Sequence, residues 1–186
     1  AYGRMHALHV LADMDALAET DLNRAYRDES PTVRKEAIRL TEIYFSNNQF
    51  TRGREKDFKT TLSKSLLHLA NDTNHNVRYQ LSWSLGKFRI SNKPKIIARL
   101  FEKAGDDPWH LTALLNAANV NHADLIQELK KNSNYNESSN SKVFISKLKA
   151  MQAGQVVTFS DSSSNNGYRP KPFKLSQKVD SNREKI

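Results

Sequence analysis

His6 and His9 stand three residues apart, a spacing that sets two imidazoles on one helical face where they could share a metal ion. No third ligand follows nearby, so the pair reads as ordinary helix residues. Tyr79 and Trp83 are four apart and could stack a base or a flat ligand. Aromatic residues at that spacing also fill the seam between packed helices, and they are assigned there, as is Trp109. His68, His75 and His122 have no recognisable partner in the sequence. The acidic residues form no acid–base pair that spacing can establish. There is no phosphate-binding glycine loop, nucleophile elbow or metal motif. The sequons at Asn71 and Asn136 are short enough to arise by chance. No catalytic, cofactor-binding or metal-ligating residue is therefore assigned.

One spacing does recur. Asp28 is followed by Val33-Arg34 and Asp72 by Val77-Arg78, each time where a polar loop runs into an apolar helical pattern. An Asp before a helix can cap free backbone N–H groups, and an Arg in its first turn can reach a carboxylate with a forked bond. Weaker copies start at Gly3-Arg4 and at Trp109-His110, where His110 stands in the place of the arginine. The anchors Gly3, Val33, Val77 and Trp109 lie 30, 44 and 32 residues apart. Such intervals suit helix pairs that cannot bury an apolar face alone and must stack. The segment 47–53 reads as a loop inserted in the long interval.

The elements that would position these residues are helices. Apolar periodicity predicts them over 2–13, 16–27, 31–45, 55–70, 77–88, 93–104, 108–118, 123–131 and 141–153. Val33, Ala37, Ile38, Leu40 and Ile43 are expected in the core of the third, and Val143, Phe144, Ile145 and Leu148 form the apolar set of the last. Residues 132–140 are polar and turn-rich, a loop by composition. The expected organisation is a helical domain over 1–153 and an extended or flexible basic tail over 154–186. In that tail Tyr168 and Phe173 could anchor on a partner.

The matched frames of Asp28, Arg34, Asp72 and Arg78 resemble the HEAT-repeat family. The resemblance implies an all-α solenoid of about four to five helical hairpins, with a ladder of ion pairs running between adjacent repeats. The order of the frames, from Arg4-Met-His-Ala-Leu to Asp-Asp-Pro-Trp109 and Ala-Leu-Leu-Asn-Ala-Ala, is similar to the HEAT segment of large secreted bacterial proteins of the Planctomycetes, Verrucomicrobia and Bacteroidetes type. There a propeller resembling sugar dehydrogenases precedes the repeats and a c-type cytochrome domain follows them. That likeness implies a spacer with no cofactor of its own, haem c in the parent protein, and a periplasmic or extracellular place. The chain opens inside a helical pattern without an initiator Met, so we expect a piece of a longer protein.

Composition narrows the alternatives. Cysteine is absent, which excludes disulfides, thiolate metal sites and covalent haem attachment within these residues. No apolar run is long enough to span a membrane. The formal net charge is +9, which invites a nucleic-acid reading with a cytoplasmic location. The front end is acidic, however, and the excess lies in Arg52, Arg54, Lys56, Lys59, Lys64 and the tail. Arg52, Arg54, Lys56 and Lys59 are the candidates for contact with a partner. The leading expectation is a non-catalytic scaffold that binds other protein domains or subunits. The alternative is a HEAT-like nucleic-acid binder with a basic concave face.

Overall fold

Prolines and short polar side chains decide where the helices begin. The computed structural model describes residues 1–46, 55–105, 107–118, 122–131 and 139–153. Among these the protein is all-α: α1 (Tyr2–Asp13), α2 (Glu19–Ala25), α3 (Pro31–Ser46), α4 (Glu55–Leu69), α5 (His75–Ser84), α6 (Lys93–Ala104), α7 (Pro108–Ala117), α8 (His122–Lys130) and α9 (Ser139–Gln152). A 3-10 turn, Leu85–Lys87, extends α5. Pro31 and Pro108 open α3 and α7, where a missing N–H costs little. Asn74 caps α5 through its side chain, and Asp107 caps α7 by accepting from the N–H groups of Trp109 and His110. Gly105 ends α6 at φ +59°, a left-handed backbone that favours glycine.

Packing follows the parity of the helices. α1 packs on α3, α3 on α5, α5 on α7 and α7 on α9. The even helices make a second layer, with α2 on α4, α4 on α6 and α6 on α8. The layers meet through α2 with α3, α4 with α5, α6 with α7 and α8 with α9. Each helix therefore contributes one apolar face to a seam between the layers. In α6 this face is Ile96, Ile97, Leu100, Phe101 and Ala104, while Lys95, Arg99, Glu102 and Lys103 face outward. Aromatic rings join distant helices within the seam: Tyr44 lies 5.2 Å from Phe58 between ring centroids, and Phe101 lies 4.8 Å from Phe144.

Few polar groups enter this core, and several of them are paired. Thr41 donates to the Ala37 carbonyl at 2.7 Å, and the phenol of the fully buried Tyr26 bonds to the Thr41 hydroxyl. Burial holds the Tyr26 phenol well above its usual range, partly offset by that bond. Ser84 donates to Glu42 Oε1, and Lys87 reaches Glu42 Oε2, tying α3 to the end of α5.

Several expectations are corrected. The second helix is shorter than 16–27, because Ala18 is extended and Asp21 turns back to accept its N–H at 3.1 Å. Leu17 is buried all the same, through the lead-in rather than the helix. Ile43, expected in the core, is 49% exposed, and Trp109 is 70% exposed. Trp83 and Val143 also stand open. All four lie on odd helices, whose outer side no further layer covers among the described residues.

This difference is testable. Leu81 is fully buried, so Leu81→Ala is expected to lower the unfolding free energy by about 3 kcal/mol, from lost transfer energy plus the cavity left behind. Ile43→Ala is expected to stay within about 0.5 kcal/mol of the parent. Urea titration of both variants checks the pair.

Candidate functional site

The carboxylates of Asp28 and Asp72 are fixed before any ion pair forms. Each sits three residues before the residue that opens its helix. Asp28 Oδ1 accepts the N–H of Ser30 at 2.8 Å, and Asp72 Oδ1 accepts the N–H of Asn74 at 2.9 Å. Arg34, in the first turn of α3, meets Asp72 with a fork: Nε to Oδ2 at 2.6 Å and Nη2 to Oδ1 at 2.8 Å. Its third nitrogen, Nη1, donates back to the carbonyls of Asp28 and Glu29 at 2.7 and 3.0 Å. One guanidinium thus closes its own loop and holds the next one. The pair is well sheltered, with side-chain exposures of 14% and 6%. Burial disfavours the charge on Asp72, but the Arg34 fork and the Asn74 N–H outweigh it and hold the carboxyl below its usual range.

Arg4 repeats the arrangement one helix earlier. It forks onto Asp28 at 2.7 and 2.9 Å and adds a bond to Glu29 at 2.8 Å. The Arg4 fork, aided by the Ser30 N–H, holds Asp28 low. The ion pairs therefore run Arg4 to Asp28 and Arg34 to Asp72, from one odd helix to the loop before the next.

The next junction is built differently. Among the described residues Arg78 makes the backward half alone, donating from Nη1 to the carbonyls of Asp72 and Thr73 at 2.6 and 3.1 Å. Its Nε is buried without a partner. The forward contact is made by His75, whose Nε2 lies 3.1 Å from Asp107 Oδ2. Five residues separate α2 from α3 and α4 from α5, but three separate α6 from α7. The position two before the cap is Gly105, which has no carboxylate to offer, and the cap residue Asp107 presents one instead. It is held low by its bonds to His110 N–H, His75 and Trp109 N–H, against the effect of burial. His110, expected to replace the arginine in the ladder, does not. It is fully buried, with Nε2 2.7 Å from Ser82 Oγ. Burial first, and the charge of His75 second, lower its pKa to about 4.

The other assigned residues are scattered. Tyr79 is half-buried, with its ring stacked on His75 at 6.0 Å and edge-on to Trp83 at 6.3 Å. This makes an aromatic run along the open side of α5 rather than a core seam. His9 approaches Glu36 at 3.4 Å, across from α1 to α3. Lys59, with Lys64 and Arg89, lines a groove of about 710 Å³ beside α4. A second groove of about 620 Å³ lies against Arg34 and Asp72 and is lined also by Arg27, Lys64 and His68. Arg52, Arg54, Tyr168, Phe173 and the side chain of Lys56 lie outside the described residues.

Among the described residues the exposed large hydrophobic side chains share one layer. Tyr2, Val10, Met14, Ile43, Trp83, Trp109 and Val143 all belong to odd helices or, for Met14, directly follow one. Val10 stands six residues after Arg4, Ile43 nine after Arg34, Trp83 five after Arg78, and Trp109 one before His110, so they do not repeat at one register. Comparison with protein-family models, with characterised proteins and with solved structures finds no match to this chain.

Arg34→Ala should destabilise the fold by about 3 kcal/mol, because it leaves a sheltered carboxylate without its partner. Arg34→Lys should recover only part of this, since an ammonium cannot fork. Chemical denaturation measures both. The contribution of Asp72 should also depend on pH. A carboxyl held low in the folded state stabilises it fully above the unfolded value, near 3.9, and the effect is lost as pH falls through the folded value. The stability gap between the parent and Asp72→Asn should be widest near pH 7 and should close below pH 4.

Proposed function

We propose that this chain is a HEAT-like α-solenoid acting as a non-catalytic scaffold, with the open side of its odd helices docking another protein domain or subunit. The observation that carries this reading is the one-sided distribution of exposed apolar side chains. Isolated exposed hydrophobics are unremarkable on any surface, but seven of them confined to one layer, among the described residues, favour an interaction site. Tryptophans such as Trp83 and Trp109 suit the centre of such a site, where they bring large apolar area at a small entropic cost. The stacking of alternate helices and the Arg4–Asp28 and Arg34–Asp72 pairs support the solenoid reading. A rigid stack also suits a spacer. On the resemblance alone, the parent would be a larger secreted redox protein with a c-type cytochrome domain, placing the chain in the periplasm or outside the cell.

A second reading has its own support. Lys59, Lys64 and Arg89 converge on the groove beside α4, and a run of cations in a groove is the footprint of phosphate binding. Nucleic acid would then be the ligand.

The two readings use different faces, so cross-linking separates them. In protein isolated from its native source, links from Lys35 and Lys87 to one defined region of a partner domain are expected. Trp83→Ser with Trp109→Ser should remove those links while leaving thermal stability nearly unchanged, because both side chains are exposed. Binding to a DNA or RNA duplex that falls steeply with salt and is lost on Lys64→Glu would instead favour the second reading. A haem-free source protein of about the 21.2 kDa of this chain would overturn the cytochrome-linked parent.

A further inference from the structure

Asp107 lies between two imidazoles that the sequence holds far apart. His75, at the start of α5, and His110, in the first turn of α7, each bring a ring nitrogen to within 4.8 Å of the other's and of an Asp107 carboxylate oxygen. The hydrogen bonds around His110 define which of its nitrogens is available. Ser82 donates its hydroxyl proton to the Arg78 carbonyl at 3.0 Å. Its oxygen therefore accepts from His110 Nε2, 2.7 Å away, and that nitrogen carries the ring proton. Nδ1 is left with a bare lone pair, fully buried and without a hydrogen-bond partner. An unpartnered buried acceptor costs on the order of 1–3 kcal/mol, and such groups call for an explanation. An imidazole oriented through its far nitrogen by a hydroxyl, with the near lone pair free, is the arrangement of a metal-ligating histidine.

We propose that His75, Asp107 and His110 form a binding site for a late first-row divalent cation of the zinc class. The ligands are His110 Nδ1, Asp107 Oδ2 and His75 Nε2, with water completing the shell. Two imidazoles and one carboxylate are a donor set suited to such ions. Ligand atoms about 2.1 Å from a tetrahedral zinc stand roughly 3.4 Å apart, so the present cluster needs only a modest closure. His75 is half exposed, at 52% of its side chain, and is free to turn and to admit the ion from solvent. The metal replaces the proton now shared between His75 and Asp107, and it clips α5 to α7 at the junction where the arginine ladder stops. Of the charged groups around His110, the Arg78 guanidinium opposes a cation and Asp107 favours it.

The test is a zinc titration of the chelator-stripped chain by calorimetry, with helicity followed by circular dichroism. One equivalent of Zn²⁺ is expected, with the imidazole resonances of His75 and His110 shifting together in NMR spectra. His75→Ala and Asp107→Asn should each weaken binding at least tenfold without loss of helicity; Asn retains the capping oxygen at the start of α7. His6→Ala with His9→Ala should leave binding unchanged. No stoichiometric binding by the parent chain would overturn the site. So would binding that survives His75→Ala and Asp107→Asn, or that disappears with His6 and His9.

Discussion

The Arg34 guanidinium is the constraint from which the geometry of the odd layer follows. Its five donors are spread over a plane, and they are divided between two loops: Nη1 onto the carbonyls of Asp28 and Glu29, Nε and Nη2 onto Asp72. A hydrophobic seam alone would let two helices slide along or rotate about each other at little cost, because apolar burial is non-directional. A forked pair has direction, and a sheltered one has no substitute in water once it breaks. Arg34 therefore fixes the register in which α3 meets α5. The apolar residues Val33, Ala37, Val77 and Leu81 then pack in that register.

The departure at α7 shows how far the pattern depends on one loop residue. In the shorter loop between α6 and α7, Gly105 stands two before the cap, the position from which Asp28 and Asp72 work. A carboxylate is still presented, but from the cap itself, and Arg78 does not reach it. His75 does, because it opens α5 and faces the next loop. A shorter, titratable side chain thus occupies a place that arginine holds elsewhere. The side chain in the arginine frame, His110, is drawn into the core and kept neutral there by burial. At this junction a His75–Asp107 contact stands where the preceding ones have an arginine fork.

Much of this was legible in the sequence, and the parts that were not share a cause. Apolar periodicity located the helices, because a two-layer packing buries one face of each and leaves the signal at full strength. Asp28, Arg34, Asp72 and Arg78 were found because two copies stand at one spacing. Which arginine would meet which aspartate was not legible: the bridges join residues 38 and 24 apart and depend on how helices stack. Asp107 stands within the Asp-Asp-Pro-Trp109 frame, but its contact with His75 was not legible because the two are 32 residues apart. Trp109 and Ile43 were misplaced for a further reason. Both are apolar residues at helical spacing, and periodicity does not distinguish a face that packs on the second layer from one that would need a third.

Among the described residues no third layer covers the odd helices, and the proposed docking surface rests on that. In a stack of helix pairs the even helices and the inner faces of the odd ones satisfy each other. The outer face of the odd layer has no structural duty and would be expected to carry charge, as the outward side of α6 does with Lys95, Arg99, Glu102 and Lys103. It carries instead Val10, Ile43, Trp83 and Trp109. Between them lie charged groups already paired within the layer, such as Glu36 with Arg39 and Glu42 with Lys87. Paired charges are easier to cover than free ones, since a partner that excludes water does not strand them. On the scaffold reading, a surface of apolar side chains set among paired ions is one that a second protein would desolvate at low cost.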